Sequence, residues 1–340
     1  MGGGLFPLDE QLQVRGKGCS EALAKLMVWL YGLVQDDLAE RILCQVGGLS
    51  VSDTSIWRRG QEWGEKIKDV EATRISTAMV VQEYGGVVRG ESENSQRMGV
   101  AMDGTMLNVR EEGWKELKVG CVFEVELEGQ GQEEQVHALK NSYVAVLGGP
   151  KRLGRALWAE ASRRRLPGAA ESIVLGDGAP WIWNVTAEHF PYSRQAVDWY
   201  HAKEHLYRAA HLALGEGSAQ AIRWAKAMET PLYQGHTWRL VAEIERLAKQ
   251  HRPVAQELRK EAKYFQRNKR RMQYLELRED GFPIGSGMVE SGCKQFRARF
   301  NGPGMRWSRP GAERLIPIRA AILSNRFSDL WAAARNSPPD

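Results

Sequence analysis

Cysteine is scarce in this 340-residue sequence, and the cysteines that occur are scattered. The four of them lie far apart and form no Cys-x-x-Cys pair: Cys19, Cys44, Cys121 and Cys293. This spacing argues against a structural zinc site and against a framework of disulfide bonds, and it is typical of a reducing compartment. We therefore expect a cytoplasmic protein.

Long hydrophobic runs are also missing. The longest apolar run, Leu26–Val34, falls far short of the roughly 20 residues that a membrane-spanning helix needs. The opening Met1-Gly-Gly-Gly lacks the basic start of a signal peptide. With 43% hydrophobic and 26% charged residues, the composition is that of an ordinary globular protein with room for two or three subdomains. No membrane partner is expected.

Charge is unevenly distributed, although the net charge is only +5. Residues 251–330 contain 17 Lys and Arg against 8 Asp and Glu. A basic third on a nearly neutral body is typical of a surface that binds a phosphate backbone. An Arg-rich, solvated helical face would have the same composition, so this pattern leaves both interpretations open.

Residues 1–95 are predicted to be helical, with a third helix that ends at about Lys68. A glycine turn at Gly47-Gly48 precedes that helix, which carries Arg58 and Arg59 near its start. Helix, turn and helix in this order are the outline of a helix-turn-helix, so we predict a DNA-binding region with both arginines as DNA contacts. A plain helical hairpin is the alternative.

Residues 96–204 predict an α/β fold. Three alternating strands are followed by a helix, an apolar strand at Ser172–Leu175, a helix from Pro180, and a short strand that leads into a helix at about Ala202. This order predicts a mixed sheet in which the first and fourth strands lie side by side. Residues 205–282 show helical periodicity without strand signals and predict an all-helical insertion. The C-terminal helices of the core would occupy residues 283–340.

Three carboxylates follow small or apolar residues in this layout. Asp103 lies on the first strand, Asp177 stands between two glycines after the fourth, and Glu290 lies in the first turns of a helix that begins near Met288. An aspartate in a turn and an acid at a helix start are also ordinary structural features. Carboxylates that converge on one sheet edge repel each other unless cations neutralise them, and oxygen ligands suit Mg²⁺. Two such ions can support in-line phosphoryl transfer.

The motifs around these acids resemble those of the DDE transposases of bacterial insertion sequences, in particular the ISKra-type family and its relatives. The resemblance rests on Met102-Asp-Gly-Thr105, Leu175-Gly-Asp-Gly-Ala179, Gly285-Ser-Gly-Met-Val-Glu-Ser291, Met305-Arg-Trp-Ser308 and Pro310-Gly-Ala312, and it runs from about Gly4 to the C-terminus. It implies an RNase H-like catalytic domain in which Asp103, Asp177 and Glu290 are the catalytic residues and bind two Mg²⁺ ions, for which Mn²⁺ can substitute. The implied partner is double-stranded DNA, both insertion-sequence ends and target, bound by a homodimer or higher oligomer associated with the nucleoid.

Further DNA contacts follow from the same resemblance. Asp198-Trp-Tyr-His201 matches an acid-or-Cys-x-x-His signature, which implies that His201 lies near the active site and contacts DNA. The alternative is an ordinary histidine at a helix start whose hydrogen bonds are made within the protein. The basic stripe behind Glu290 and one arginine of the Met305–Ser308 motif are also expected to bind DNA: Lys294, Arg297, Arg299 and Arg306.

Two other functions remain open at this stage. Relatives usually carry a Cys-rich segment before the stretch that here is Gly4–Glu10, so a truncated or catalytically inactive DNA-binding protein is one alternative. An RNase H-like nuclease is the other, although it does not account for the helical insertion or for the stretch Met305–Ala312.

Overall fold

The computed structural model describes residues 19–84, 96–129, 135–302 and 304–336, and the stretch Gly4–Glu10 lies outside them. The strands are β1 (Arg97–Val109), β2 (Gly113–Glu128), β3 (Gln135–Leu147), β4 (Glu171–Gly176) and β5 (Arg194–Val197). The helices before β5 are α1 (Glu21–Leu33), α2 (Asp36–Gly47), α3 (Asp53–Tyr84), α4 (Pro150–Arg163) and α5 (Pro180–His189). Those after it are α6 (Trp199–Leu214), α7 (Ala219–Tyr233), α8 (Thr237–Gln250), α9 (Ala255–Asn268), α10 (Tyr274–Glu279), α11 (Gly287–Phe300), α12 (Arg309–Leu323) and α13 (Phe327–Asn336).

The five strands form one mixed sheet in the order β3-β2-β1-β4-β5. β1, β2 and β3 are a meander of antiparallel strands, whereas β4 runs parallel to β1 and β5 runs parallel to β4. The α/β class and the mixed sheet predicted from the sequence are confirmed. The predicted pairing of the first and fourth strands is confirmed as well, because Arg97–Met102 pair with Glu171–Gly176.

Helices cover both faces of the sheet. One face packs against α1, α3, α11, α12 and α13 in a hydrophobic core that includes Tyr31, Ile67, Phe296 and Leu315. The other face packs against α4, α5 and helices α6 to α9. Because the N-terminal helices share their core with the sheet and with the C-terminal helices, the predicted boundary at residue 95 does not separate two hydrophobic cores.

Helix α3 is 32 residues long and continues well past the predicted end at Lys68. Trp63 stacks on Trp331 of α13 with the ring centroids 3.6 Å apart, and Glu71 accepts a hydrogen bond of 2.9 Å from the buried Arg326. Further along, Ile75 and Met79 pack against the core on the second face of the sheet. The second half of α3 is therefore held by tertiary packing, which its weakly apolar sequence did not indicate.

The segment between β5 and α11 consists of helices α6 to α10 joined by turns and loops. Helical periodicity in the sequence predicts one helix over residues 237–250, and α8 has these limits. It also predicts a continuous helix over residues 253–277, which the structure divides into α9, a short 3-10 turn and α10. The division falls where Met272 and Tyr274 turn inward; Tyr274 lies edge-on to Trp199, with ring centroids 4.9 Å apart. Helix α6 begins at Trp199 rather than Ala202, because the side chain of Asp198 caps it.

Within the described ranges, no helix combines the length and the apolar character that crossing a membrane requires.

Candidate active site

Three neighbouring parallel strands carry an aspartate at the same level of the sheet. Met102, Gly176 and Val197 are partners in the register of β1, β4 and β5. The next residue along the chain is an aspartate in each case: Asp103, Asp177 and Asp198. The ends of parallel strands are where α/β sheets commonly place binding and catalytic groups, so this edge is the candidate site.

Asp177 sits in a tight turn at the end of β4. Its Oδ1 accepts a hydrogen bond of 2.8 Å from the backbone N–H of Ala179, while Oδ2 has no hydrogen-bond partner among the described residues. Gly178 has φ +97°, and a Cβ there would lie 2.8 Å from the ring of Tyr264. The Tyr264 hydroxyl donates to the carbonyl oxygen of Asp177 at 2.9 Å. The glycine is therefore required because α9 approaches the turn closely.

Asp103 faces helix α11 across the edge of β1. Its Oδ1 accepts a hydrogen bond of 2.6 Å from the Gly104 N–H, and the thiol of Cys293 also donates to the carboxylate. Burial raises the pKa of Asp103 above its usual range; the bonds from Gly104 and Cys293 oppose this rise, whereas the nearby Asp177 adds to it. A group that neutralised the charge of Asp177 or Asp103 would remove this unfavourable interaction.

The buried Asp198 and the partly exposed His201 form a pair at the start of α6. Oδ1 of Asp198 accepts hydrogen bonds from the backbone N–H of His201 at 2.7 Å and from its Nδ1 at 3.1 Å. Burial alone would raise the pKa of Asp198, but the bonds from His201 and Ser286 outweigh it and the pKa lies below the usual value. The bond to Asp198 raises the pKa of His201 to about 9, so the imidazole is protonated at neutral pH.

Asp198 also fixes the loop that leads to Glu290. Its Oδ2 accepts a hydrogen bond of 2.5 Å from the backbone N–H of Ser286, and the N–H of Trp199 donates to the carbonyl of Ile284 at 2.8 Å. The Ser286 hydroxyl in turn lies 3.4 Å from Oε1 of Glu290, in the first turn of α11. The carboxylate on α11 is thus placed by contacts that begin at the end of β5.

One compact set of ligand atoms occurs at this edge. Asp198, His201 and Glu290 each offer an atom within 4.8 Å of the other two, so this group could hold a metal ion. Asp103 and Asp177 lie outside that set. The charge of Asp177 nevertheless contributes to raising the pKa of His201, and the charges of Asp103 and Glu290 both contribute to raising the pKa of the Cys293 thiol. Asp103, Asp177 and Asp198 therefore stand at one edge of the sheet, and Glu290 lies beside Asp198 and His201.

The predicted DNA contacts are divided between the surface and the interior. Four of them are exposed and form no ion pair with a described acid: Arg58, Lys294, Arg297 and Arg306. On α11, Glu290, Lys294 and Arg297 are spaced by four and three residues, so they lie along one face of the helix. The exposed cations of α11 and the candidate site therefore share a surface.

Arg299, predicted to contact DNA, is not on the surface. Its side chain is only 2% exposed, and its guanidinium donates two hydrogen bonds, of 2.9 and 2.8 Å, to the carbonyl oxygen of Tyr31 at the end of α1. It also lies 3.6 Å from a carboxylate oxygen of Asp36. The basic stripe turns inward at this residue because α11 packs on the N-terminal helices there.

Arg59 is not a free cation on the surface either, contrary to the prediction. Its side chain is 16% exposed and forms an ion pair of 2.8 Å with Glu62 one turn later in α3. Its neighbour Arg58 is exposed. Consecutive residues of a helix point about 100° apart, so the two arginines leave α3 in different directions.

Two sets of residues at the site were missed or undervalued in the sequence. In the sequence Asp198 stands out only as part of a signature, although it follows a strand just as Asp177 does. Four basic residues of α9 and the turn after it line a cleft beside Asp177: Lys260, Lys263, Arg267 and Arg271. Their spacing of three, four and four residues is the signal that could have identified a common helical face.

No family model matches the chain, and no curated protein matches it. The assignment of a function therefore depends on the fold, the site and the motifs.

Proposed function

We propose that the protein is a DDE-type DNA transposase, which cleaves and joins DNA strands at the ends of an insertion sequence by metal-dependent phosphoryl transfer. One observation carries the proposal. Asp103, Asp177 and Asp198 stand at one level of three parallel strands, and Asp198 holds the loop before Glu290, whose carboxylate has an atom within 4.8 Å of ligand atoms of Asp198 and His201. Four acids at one edge are costly in a fold that does not use them.

The donor atoms fit Mg²⁺, which prefers carboxylate oxygens and retains several waters. Asp103, Asp177 and Glu290 would be the protein ligands, and Asp177 has one carboxylate oxygen without a hydrogen-bond partner among the described residues. Both carboxylate oxygens of Asp198 accept hydrogen bonds, and the Nδ1 of His201 faces Asp198 in a protonated ring, so we assign these two a different role. Two bound Mg²⁺ ions would supply charge neutralisation and activation of the attacking oxygen, and Mn²⁺ could substitute.

Asp198 positions the imidazole of His201 and the loop before Glu290. His201 itself contacts the DNA substrate. Asp198 holds the Nδ1 side of the imidazole and the loop before Glu290. His201 is partly exposed, with 29% of its side chain accessible, so its Nε2 remains to donate to an anionic oxygen of the scissile phosphate. A protonated histidine there offsets the charge of the phosphodiester as it enters a site rich in carboxylates.

The fold supports the same proposal. A meander of three antiparallel strands followed by two parallel ones, with the first and fourth adjacent, resembles the RNase H-like sheet implied by the sequence motifs. The all-helical insertion lies between the last strand and the helix that carries Glu290, where the resemblance expects it. In the N-terminal region, α2 is followed by Gly48 in the left-handed conformation, and α3 begins a few residues later. Trp57 and Arg58 are exposed on α3. This arrangement is compatible with a helix-turn-helix that reads DNA.

Strand cleavage tests the proposal directly. The substrate is a labelled DNA duplex that carries the element's own terminal repeats, incubated with the protein and either Mg²⁺ or EDTA. We expect nicks at the element ends only with the metal, followed by joining to a target duplex. Tight binding without cleavage would instead indicate an inactive DNA-binding protein, and cleavage without any preference for the ends would indicate a nuclease.

A further inference from the structure

A basic cleft opens beside Asp177, between the end of β4 and helix α9. It has a volume of about 860 Å³, and Asp177, Gly178 and Trp183 line its inner side. Tyr264 also lines the cleft, and its hydroxyl donates to the carbonyl of Asp177 at 2.9 Å. The cleft thus begins at one of the proposed catalytic carboxylates and leads away from it along the helical insertion.

The outer wall of the cleft is a row of cations. Lys260, Lys263, Arg267 and Arg271 recur at intervals of about one helical turn, so they lie along one face of α9 and the turn that follows. The first three are exposed, and none of the four forms an ion pair with a described acid. Arg271 alone is hydrogen-bonded, to the side-chain oxygen of Gln195 at 2.7 Å. Cations that lie in a line on the surface without carboxylate partners favour a ligand with regularly spaced negative charges.

The row continues past the end of α9. A second cleft of about 670 Å³ shares Arg267 and Arg271 with the first and adds Lys269 and Arg270. Among the described residues lining the two clefts, the acid is Asp177, at the inner end. A chain of phosphates that runs from Asp177 would therefore meet cations over the whole length of this surface.

The inner wall offers groups that recognise bases rather than phosphates. Trp183 is only 9% exposed, its indole N–H has no hydrogen-bond partner among the described residues, and the guanidinium of Arg271 lies over its ring at 4.3 Å. Asn184 lies beside it at the rim. A duplex that lay on α9 would touch the cations but could not bring base edges to a tryptophan that is nine-tenths buried.

We propose that this cleft binds an unpaired DNA strand, with its phosphates on the row of Lys260, Lys263, Arg267 and Arg271 and its bases toward Trp183 and Asn184. The inference rests on the proposed function in taking DNA as the substrate of the neighbouring site. The new element is that the DNA strand next to Asp177 is separated from its complementary strand. Sites for single strands combine a positively charged groove with side chains that contact the bases, and this cleft has both features. Tyr264 couples the two sites, because it lines the cleft and holds the turn of Asp177.

Binding to tailed and blunt DNA tests the proposal. The probes are a blunt duplex of unrelated sequence and the same duplex with a single-stranded tail, measured by fluorescence anisotropy with Mg²⁺ at several salt concentrations. We expect the native protein to bind the tailed probe more tightly. The double variant Lys263→Gln, Arg267→Gln should bind the tailed probe on the order of tenfold more weakly and lower its salt slope by about 1.4, at roughly 0.7 per phosphate of a single strand, while its affinity for the blunt probe is unchanged.

A matched control is the double variant Arg223→Gln, Lys226→Gln, which removes two exposed cations of α7 that line neither cleft. It should bind both probes as the native protein does, and thermal melting should show that both double variants are folded. The proposal would be overturned if the Lys263 and Arg267 changes weakened binding of both probes equally, or weakened binding of neither. It would also be overturned if the native protein bound the tailed and blunt probes equally well. A protein that prefers the tail but never cleaves element ends would contradict only the proposed function.

Discussion

We expect Glu290→Gln to fold and to bind DNA as the native protein does, but to cleave element ends on the order of 10³-fold more slowly. Glutamine keeps the shape of the side chain and one oxygen acceptor, but it lacks the charge that a divalent cation needs. The loss follows from removing a ligand to the metal that stabilises the transition state of phosphoryl transfer. The measurement is the single-turnover rate of strand cleavage on the labelled duplex with Mg²⁺.

The structural alternative for Glu290 makes a different prediction. An acid in the first turn of a helix interacts favourably with the helix dipole, at about 0.3–1 kcal/mol, whether or not it has a catalytic role. Asp329 is an exposed acid in the first turn of α13 and serves as the matched control. Asp329→Asn should leave the cleavage rate unchanged. If Glu290→Gln cleaved as fast as Asp329→Asn does, Glu290 would have no part in catalysis.

The largest effect on stability is expected for Arg299→Met. The change removes two hydrogen bonds to the carbonyl of Tyr31 and leaves the partly buried Asp36 without its cation. Burial raises the pKa of Asp36 to about 6, and Arg299 opposes that rise, so without the arginine the carboxylate becomes costlier still. We expect a loss of about 3 kcal/mol in the free energy of unfolding, measured from the midpoint of urea denaturation.

Arg297→Met is the control for this experiment, because Arg297 lies two residues away on the exposed face of α11. Its free energy of unfolding should change by less than about 0.5 kcal/mol. If the two variants were equally stable, Arg299 would not be the interior anchor that the geometry indicates, and its assignment as a DNA contact would have to be reopened.

The sequence predicted the sheet well because its signals are local. Alternating residues in β1 and β2, and the apolar run before Asp177, mark strands by their own pattern, and the order of elements then brings β1 beside β4. Asp103 and Asp177 could therefore be placed at one edge before the structure was known. Their catalytic role still depends on the motifs, because an aspartate after a strand is an ordinary feature of turns.

What the sequence did not reveal depends on tertiary packing. Arg297 and Arg299 belong to the same basic stripe, and only the contact of α11 with α1 decides that Arg299 is interior. The long second half of α3 is similarly held by distant partners such as Arg326. Asp198 follows a strand of four residues, too short to stand out, and its dual contact with His201 and Ser286 spans 88 residues of sequence.

The central claim is that Asp103, Asp177 and Glu290 share divalent cations, and thermal melting with Mn²⁺ tests it most directly. We expect the native protein, in the presence of DNA, to gain stability as Mn²⁺ is added, by about 2.7 kcal/mol at a concentration one hundred times the dissociation constant. Asp177→Asn should lose most of that gain, and in EDTA it should be at least as stable as the native protein, because it no longer repels Asp103. A native melting temperature that does not respond to millimolar Mn²⁺, with DNA present, would contradict the account.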